Sequence, residues 1–229
     1  MAEKFFQTRG MEKVTTPASD YSVIFLIINL RYNTLMNQKS FIFIGRSGCG
    51  KGTQAKLLSE YLKKTDPKRE VLYIQTGAEF REFIKGDSDT QKLSREIYDV
   101  GGIQPEFLAV YMWANVFVNK FTKNEYVIMD GMPRKMHEAG VLDSAFEFYK
   151  LDRPIVIHMD ISHEESVNRL MSRGRIDDNR EDISERLSWY ETDVVPAIEY
   201  YKNNKHYKFL HIDGTQSIED IHKEIISKI

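Results

Sequence analysis

The most constraining feature of this sequence is a glycine-rich segment between an apolar run and a helix-like stretch. The apolar run is FIFI at residues 41–44, and GRSGCGK follows at residues 45–51. From residue 54 to 63, apolar side chains recur every three or four positions, as on the buried face of a helix. Glycines let backbone N–H groups turn around phosphate oxygens, and the following helix directs its positive end at the same anion. The pattern predicts a strand, a phosphate-binding loop for a nucleoside triphosphate and a helix.

Short apolar runs rich in β-branched and aromatic residues alternate with helix-like stretches along the chain. They lie at residues 41–44, 71–74, 126–129, 155–159 and 209–212. Such runs are typical of strands buried on both faces, and strands separated by helices form parallel sheets through right-handed crossovers. The sequence predicts an α/β fold with three layers around a central five-stranded parallel sheet.

Length, composition and net charge indicate which classes of protein and which partners to expect. A chain of 229 residues with 41% hydrophobic and 29% charged residues suits one compact enzyme. The net charge of -2 gives no global attraction to nucleic acid or an anionic membrane, so we expect neither as a partner. The apolar run at residues 23–30 is shorter than the roughly 20 residues of a membrane-spanning helix. The single cysteine, Cys49, cannot form an intramolecular disulfide, so we expect a cytoplasmic protein. We also expect a monomer.

Residues 1–38 precede the first predicted strand and carry no period that would anchor a domain. We interpret them as an N-terminal extension and place the catalytic domain at residues 39–229. Because Met36 lies shortly before the first strand, an overlong start is one explanation of the extension, and a docking or targeting segment is the other.

Two positions bear on magnesium. A Ser or Thr usually follows the lysine of such a loop and offers its hydroxyl to Mg²⁺, but here the residue is Gly52, which excludes that ligand. Thr53 can still reach a phosphate. Asp130, which follows a predicted strand, can hold Mg²⁺ through water, and the alternative for it is a helix or turn cap. No Cys/His cluster has zinc-site spacing, so we expect no structural zinc.

Six motifs occur in the order in which adenylate kinases and related nucleoside monophosphate kinases carry them. They are GCGKGTQ at residues 48–54, TGxxxR at 76–81, GIQP at 102–105, DGMPR at 130–134, RLxxRGR at 169–175 and IDDNRED at 176–182. The chain resembles this family from about residue 39 to the C terminus. The resemblance implies a helical insert that binds the nucleoside monophosphate (NMP) at about residues 75–104. It also implies a short lid without metal at about residues 172–182.

The resemblance assigns roles to individual residues. The implied ATP-binding residues are Gly48, Cys49, Gly50, Lys51, Gly52, Thr53, Arg169, Arg173 and Gln216. The implied NMP-binding residues are Thr76, Arg81, Gly102, Ile103, Gln104, Gly131, Met132, Pro133, Arg134, Glu138, Arg175 and Arg186. The implied catalytic residues are Lys51, Arg134, Arg173, Arg175 and Arg186. Two phosphate chains meeting head to head need such cations, because guanidinium groups offer paired donors and stay ionised.

The acceptor base is less constrained than the phosphates. Family members usually carry Gln at the position of Glu138, where an amide both accepts from adenine N6–H and donates to N1. An ionised carboxylate can only accept, which suits guanine better, although Gln104 could restore the missing donor. Glu138 could instead be a surface helix residue whose neighbour reads the base.

We expect Mg²⁺-dependent phosphoryl transfer from ATP to AMP. A UMP/CMP or GMP kinase is the alternative enzyme, and a nucleotide-binding switch module on the same fold is the alternative without catalysis. The switch module would leave Thr76, Arg81 and Arg134 without a purpose.

Overall fold

A computed structural model describes residues 40–174 and 180–229, with the side chain of Arg180 excluded. Within these ranges five strands form one sheet in which all neighbouring strands are parallel. They are β1 Ser40–Ile44, β2 Val71–Gln75, β3 Tyr126–Asp130, β4 Ile155–Asp160 and β5 Lys208–Asp213. Their order across the sheet is β2-β3-β1-β4-β5. The α/β fold and all five predicted strands are confirmed.

Helices connect the strands. They are α1 Lys51–Thr65, α2 Thr76–Phe83, α3 Asp89–Asp99, α4 Glu106–Lys120, α5 Met136–Tyr149, α6 His163–Arg173, α7 Arg180–Trp189, the π-helix Tyr190–Val194, α8 Val195–Asn203 and α9 Ile218–Lys228. The helix predicted at residues 54–63 lies inside α1, where Ala55, Leu58 and Leu62 form the buried stripe. Helices α2 and α3 fall in the range predicted for the NMP-binding insert, whose limits remain a prediction.

The two faces of the sheet are covered by two apolar clusters, because the side chains of a strand point alternately to opposite faces. In β1, Phe41 and Phe43 pack with residues of α1 and α9, whereas Ile42 and Ile44 pack with residues of α4, α5 and α8. The outcome is the predicted three-layer arrangement, with helices on both sides of the sheet.

The carboxyl ends of the strands meet at one edge of the sheet. From β1 the order runs through β3 to β2 on one side and through β4 to β5 on the other. In open α/β sheets ligands bind at such a divergence, outside the carboxyl ends of the strands. The segment after β1, together with Gln75 and Asp130 at the ends of β2 and β3, lies at this edge.

Several predictions concern parts of the chain beyond the described ranges. The N-terminal extension at residues 1–38 and residues 175–179 of the predicted lid lie outside the described residues. No helix within the described ranges is both long and apolar enough to cross a bilayer.

Candidate active site

A cleft of about 560 Å³ opens at the carboxyl edge of the sheet. Of the residues predicted to bind nucleotide or metal, it brings together Gly48, Gly50, Lys51, Gly52, Thr53, Arg81, Gly102, Gln104, Asp130, Gly131, Arg134, Arg169, Arg173 and Arg186. Sequence reasoning missed seven polar or aromatic residues of its lining, which are Ser47, Lys56, Gln75, Phe80, Tyr98, Ser172 and Trp189.

The charge of the cleft is strongly positive although the chain as a whole is slightly acidic. Its cationic side chains are Lys51, Lys56, Arg81, Arg134, Arg169, Arg173 and Arg186. Among the described residues that line it, Asp130 is the one acidic side chain. Cations from distant segments therefore converge on one space, as binding of a polyanion requires.

The phosphate loop approaches the sheet so closely that two positions require glycine. A Cβ at Gly45, whose φ is +147°, would lie 2.2 Å from the backbone oxygen of Met159 in β4. Gly50, with φ of 96°, is the left-handed residue from which α1 begins. The Lys51 ammonium donates to the carbonyl oxygens of Gly45 and Arg46, at 2.7 Å each. Both contacts of the ammonium are therefore with backbone oxygens of its own loop.

Asp130 is held by residues of the neighbouring strand. The Tyr73 hydroxyl and the Gln75 amide both donate to its Oδ2, each at 2.8 Å. The register of β2 and β3 explains the contact, since Gln75 lies opposite Asp130. Burial and the nearby carboxylate raise the pKa of Tyr73 far above its usual range, so the phenol stays a donor. A Cβ at Gly52 would lie only 3.2 Å from Oδ2 of Asp130, so a larger residue at position 52 would crowd the carboxylate.

The surroundings of the Asp130 carboxylate fit a hydrated magnesium ion. Both hydrogen bonds from Tyr73 and Gln75 end on Oδ2, and the carboxylate lines the cleft beside the phosphate loop. Mg²⁺ keeps much of its water shell and takes few protein ligands. Within residues 40–174 and 180–229, no three His, Cys, Asp or Glu side chains cluster for direct metal binding. Asp130 therefore suits contact through water rather than a closed protein cage.

Beside the cleft lies a narrower recess that shares Phe80, Gln104, Gly131 and Arg134 with it. Thr76, Ile103, Ala109 and Glu138 complete the lining of this recess. The Thr76 hydroxyl donates to the carbonyl oxygen of Gly131 at 2.9 Å. Residues predicted for the acceptor base thus surround one space next to the predicted acceptor-phosphate arginine, Arg134.

Glu138 is a buried residue of the first turn of α5, only 2% exposed, and not a surface residue. Its Oε2 accepts a hydrogen bond from the backbone N–H of Arg134 at 3.1 Å. Burial raises the pKa of Glu138, and the hydrogen bond and charge of Arg134 oppose that rise. The carboxyl group is therefore less readily ionised than an exposed glutamate.

The side chain of Gln104 is already paired. Its amide donates to the Ser94 carbonyl oxygen and accepts from the Ser94 hydroxyl, both at 2.8 Å. Both residues are buried. Ser94 therefore engages the amide oxygen and one of the two N–H groups of Gln104, so this residue keeps at most one N–H with which to supply the donor that Glu138 lacks.

The predicted arginines approach the cleft from three sides. Arg134 is half-buried, donates through Nε to Gly131 O at 3.1 Å, and has a pKa lowered by desolvation. Arg186 donates through Nε to the Asp182 carbonyl oxygen at 3.2 Å. Arg169 and Arg173 lie four residues apart on α6 and both line the cleft, as expected if they share a face.

Some predicted residues lie elsewhere. Cys49 is fully buried, and its backbone N–H donates to Arg46 O at 3.3 Å. Met132 is buried in an apolar core cluster, and Pro133 lines a cavity of about 50 Å³ together with Lys51 and Arg134. Gln216 is exposed two residues before α9, and its amide donates to Glu224 at 2.9 Å. Arg175 lies outside the described residues.

Gly101 joins the predicted NMP-binding segment to α7. Its φ is +68°, and an added Cβ would lie 2.7 Å from both Cα and the carbonyl oxygen of Asp182. We expect Gly101→Ala to lower the free energy of unfolding by about 2 kcal/mol, measured by urea denaturation.

Gly140 is the matched control for this substitution, because it lies inside α5 with no atom within 4 Å of an added Cβ. Gly140→Ala should raise the free energy of unfolding by about 0.5–1 kcal/mol. Equal effects of the two substitutions would contradict the tight packing of Gly101 on α7.

Comparison with known proteins agrees with this geometry. The sequence model of the family described as adenylate kinase matches residues 43–206. The adenylate kinase of Azobacteroides pseudotrichonymphae is 32% identical over 189 residues, covering 81% of this chain and 94% of the relative. That of Bacteroides fragilis is 32% identical over 194 residues, covering 83% of this chain and 97% of the relative. Adenylate kinase 1 of a Nostoc species is 33% identical over 184 residues, covering 80% and 95%. The chain therefore belongs to the adenylate kinase family, as its six ordered motifs indicated.

Proposed function

We propose that this protein transfers the γ-phosphoryl group of ATP to AMP, reversibly and with Mg²⁺, to give two ADP. The observation that carries the proposal is the cleft, whose lining combines the phosphate loop with seven cationic side chains and one carboxylate. Names of the relatives, all adenylate kinases, support the same reaction.

The reaction needs positioning and charge stabilisation rather than a covalent intermediate. The loop and Lys51 bind the β- and γ-phosphates of ATP, and Arg81 and Arg134 bind the phosphate of AMP. An oxygen of that phosphate, already ionised near neutral pH, attacks the γ-phosphorus while the bond to the β-phosphate oxygen breaks. Arg173 and Arg186 stabilise the charge on the transferring group. No general base is required.

Magnesium, when bound, neutralises the charge shared by the β- and γ-phosphates. Asp130 would hold the ion through its water shell, and the hydrogen bonds from Tyr73 and Gln75 would fix the position of the Asp130 carboxylate. We further propose a cytoplasmic location and a monomeric state. Light scattering coupled to size exclusion measures the monomeric state directly.

An acceptor comparison tests the proposal. ADP formation is measured with ATP and Mg²⁺ plus AMP, UMP, CMP or GMP, each alone. The highest kcat/KM is expected with AMP. Turnover with UMP and CMP alone, or with GMP alone, would assign the chain to the corresponding kinase. Tight ATP binding with no turnover on any acceptor would favour the switch module.

The burial of Glu138 leads to a prediction on pH-dependent stability. A raised folded-state pKa means that the native chain binds this proton more tightly than the unfolded chain does. The native state therefore loses stability as pH rises from the ordinary glutamate pKa through the raised one. Glu138→Gln removes this loss while its amide oxygen can still accept from Arg134 N–H. We expect a higher Tm for the variant at pH 7, with the difference shrinking toward pH 4.

Glu147→Gln is the control, since this carboxylate of the same helix is 72% exposed. It should leave Tm nearly unchanged across that range. In activity assays Glu138→Gln should lower the KM for AMP by about 3- to 10-fold, because the amide donates where an ionised carboxylate cannot. A Tm below that of the parent chain at pH 7 would show that attraction to Arg134 outweighs desolvation of Glu138.

A further inference from the structure

Three consecutive residues where α7 meets the π-helix contact both the predicted acceptor site and the phosphate loop. The Trp189 indole N–H donates to Gly101 O at 3.1 Å, and its ring faces the Arg134 guanidinium at 5.4 Å. The Tyr190 ring lies 4.2 Å from the Arg46 guanidinium, and Glu191 Oε1 lies 2.6 Å from Arg46 Nη1. We call residues 189–191 the junction. It contacts Gly101 and Arg134 on the acceptor side and Arg46 of the phosphate loop on the donor side.

The junction lies directly behind the two groups that would bind phosphate. Trp189 and Tyr190 line a cavity of about 50 Å³ whose other walls include Lys51 and Arg134. Consecutive helical residues point about 100° apart, which lets neighbours reach different walls of the cleft. A π-helix begins at Tyr190, and such wide turns are frequent at functional sites.

The donor-side contact is mainly the stacking of Arg46 on Tyr190. Tyr190 is buried, and burial raises the pKa of its hydroxyl, so the ring stays neutral beside the cation. Cation–π attraction strengthens as the partners lose water. The Glu191 side chain is 55% exposed, which makes its ion pair with Arg46 the weaker of the two contacts.

The junction is also joined to a predicted catalytic residue. Arg186 lies three residues before Trp189 and four before Tyr190 on a continuous helical segment. Residues with this spacing lie on neighbouring positions of one helix face. A displacement of the helix end would therefore reach Arg186, Arg134 and Gly101 together.

We propose that the junction is a positioning element that couples the two nucleotide sites, so that a triphosphate at the loop increases the affinity for the acceptor. This inference rests on the proposed function. The side chain of Arg46 does not line the described cleft, and its backbone oxygen accepts from Lys51. Movement of the loop upon phosphate binding therefore reaches the junction through Arg46 and the acceptor segment through Trp189.

Linkage measurements on the purified full chain test the coupling. The dissociation constant of AMP is measured by calorimetry with and without a non-hydrolysable ATP analogue. In the parent chain the analogue should tighten AMP binding by about 5-fold or more. Arg46→Met should bring that factor close to one, although Arg46 lines neither the described cleft nor the acceptor recess. Trp189→Phe, which keeps a ring but removes the N–H, should reduce the factor as well.

A spectroscopic readout separates coupling from a purely structural role. The chain has two tryptophans, Trp113 and Trp189, so Trp113→Phe leaves Trp189 as the single indole. In that background the ATP analogue alone should change the fluorescence of Trp189. Adding Arg46→Met should abolish this change, and Arg46→Lys, which keeps the charge, should restore part of it.

Two matched controls remove similar groups away from the junction. Trp113→Phe alters the other tryptophan, which is buried in the core. Arg153→Met removes a half-buried arginine that pairs with Asp143 and Glu147. Both should leave the coupling factor unchanged. Circular dichroism and thermal melts show whether each variant is folded.

An unchanged coupling factor in folded Arg46→Met would overturn the inference. So would a double variant of Arg46→Met and Trp189→Phe whose change in the coupling factor equals the product of the two single changes, because the two residues would then act independently. A failure of the proposed function has a different signature. It would appear in the parent chain as binding of both nucleotides without ADP formation, whatever the coupling factor.

Discussion

Replacing Lys51 with Met is expected to lower kcat for ADP formation by about 1000-fold, since the developing phosphoryl charge loses its ammonium in a site built on electrostatic stabilisation. The fold should persist, because the Lys51 ammonium contacts loop carbonyl oxygens and not a buried carboxylate. Initial rates at saturating ATP and AMP measure the effect, and circular dichroism checks the fold.

Lys63→Met is the matched control, because this lysine lies in the last turn of the same helix and is exposed. It should retain full activity. A Lys51→Met variant that kept a tenth or more of the parent kcat would show that the loop lysine is not part of the chemistry.

Replacing Asp130 with Asn is expected to lower kcat by about 100-fold and to raise the Mg²⁺ concentration needed for half-maximal activity. The amide has the size of the carboxylate and an oxygen that can still accept from Tyr73 or Gln75, but it lacks the charge that orders hydrated Mg²⁺. Magnesium titrations of the initial rate measure both quantities.

Asp152→Asn, an exposed aspartate in the connection before β4, is the matched control and should change neither quantity. Tyr73→Phe should act in the same direction as Asp130→Asn but more weakly, since Gln75 still donates to the carboxylate. If Asp130→Asn left the magnesium dependence of the rate unaltered, Asp130 would have a structural role only and would not hold the ion.

Much of the fold could be predicted because local signals decide it. Apolar runs such as residues 155–159 are too uniform for an edge or surface strand, and β4 extends over Ile155–Asp160. The glycines after β1 predicted the loop because a Cβ at Gly45 would overlap Met159 O. In these segments one structure satisfies both the hydrophobic pattern and the backbone requirement.

The missed site residues depend on contacts between distant segments. Gln75 and Tyr73 reach Asp130 only through the register of two strands that are more than 50 positions apart in the chain. Trp189 contacts Gly101 across 88 positions. Single-sequence patterns carry no information on such pairings, since each residue is also plausible as ordinary core or surface.

Two features of the acceptor recess were hidden for the same reason. Glu138 looks like a polar helix residue in sequence, yet the helix packs so that its carboxylate is buried against Arg134. The pairing of Gln104 with Ser94 depends on how α3 folds back on the segment before α4. The phosphate loop has a local signal in its glycines, whereas the arginines of the cleft were assigned through the family resemblance, and the base end of the site has no comparable local pattern.

The central claim is transfer of a phosphoryl group between two nucleotides bound in one cleft. The direct measurement follows the label from γ-³²P-ATP after mixing with AMP, Mg²⁺ and the purified chain. The label should appear in the β-phosphate of ADP, with little inorganic phosphate, and Lys51→Met should abolish its transfer. Label that stays in ATP, or that is released only as inorganic phosphate at a rate independent of AMP, would contradict the claim.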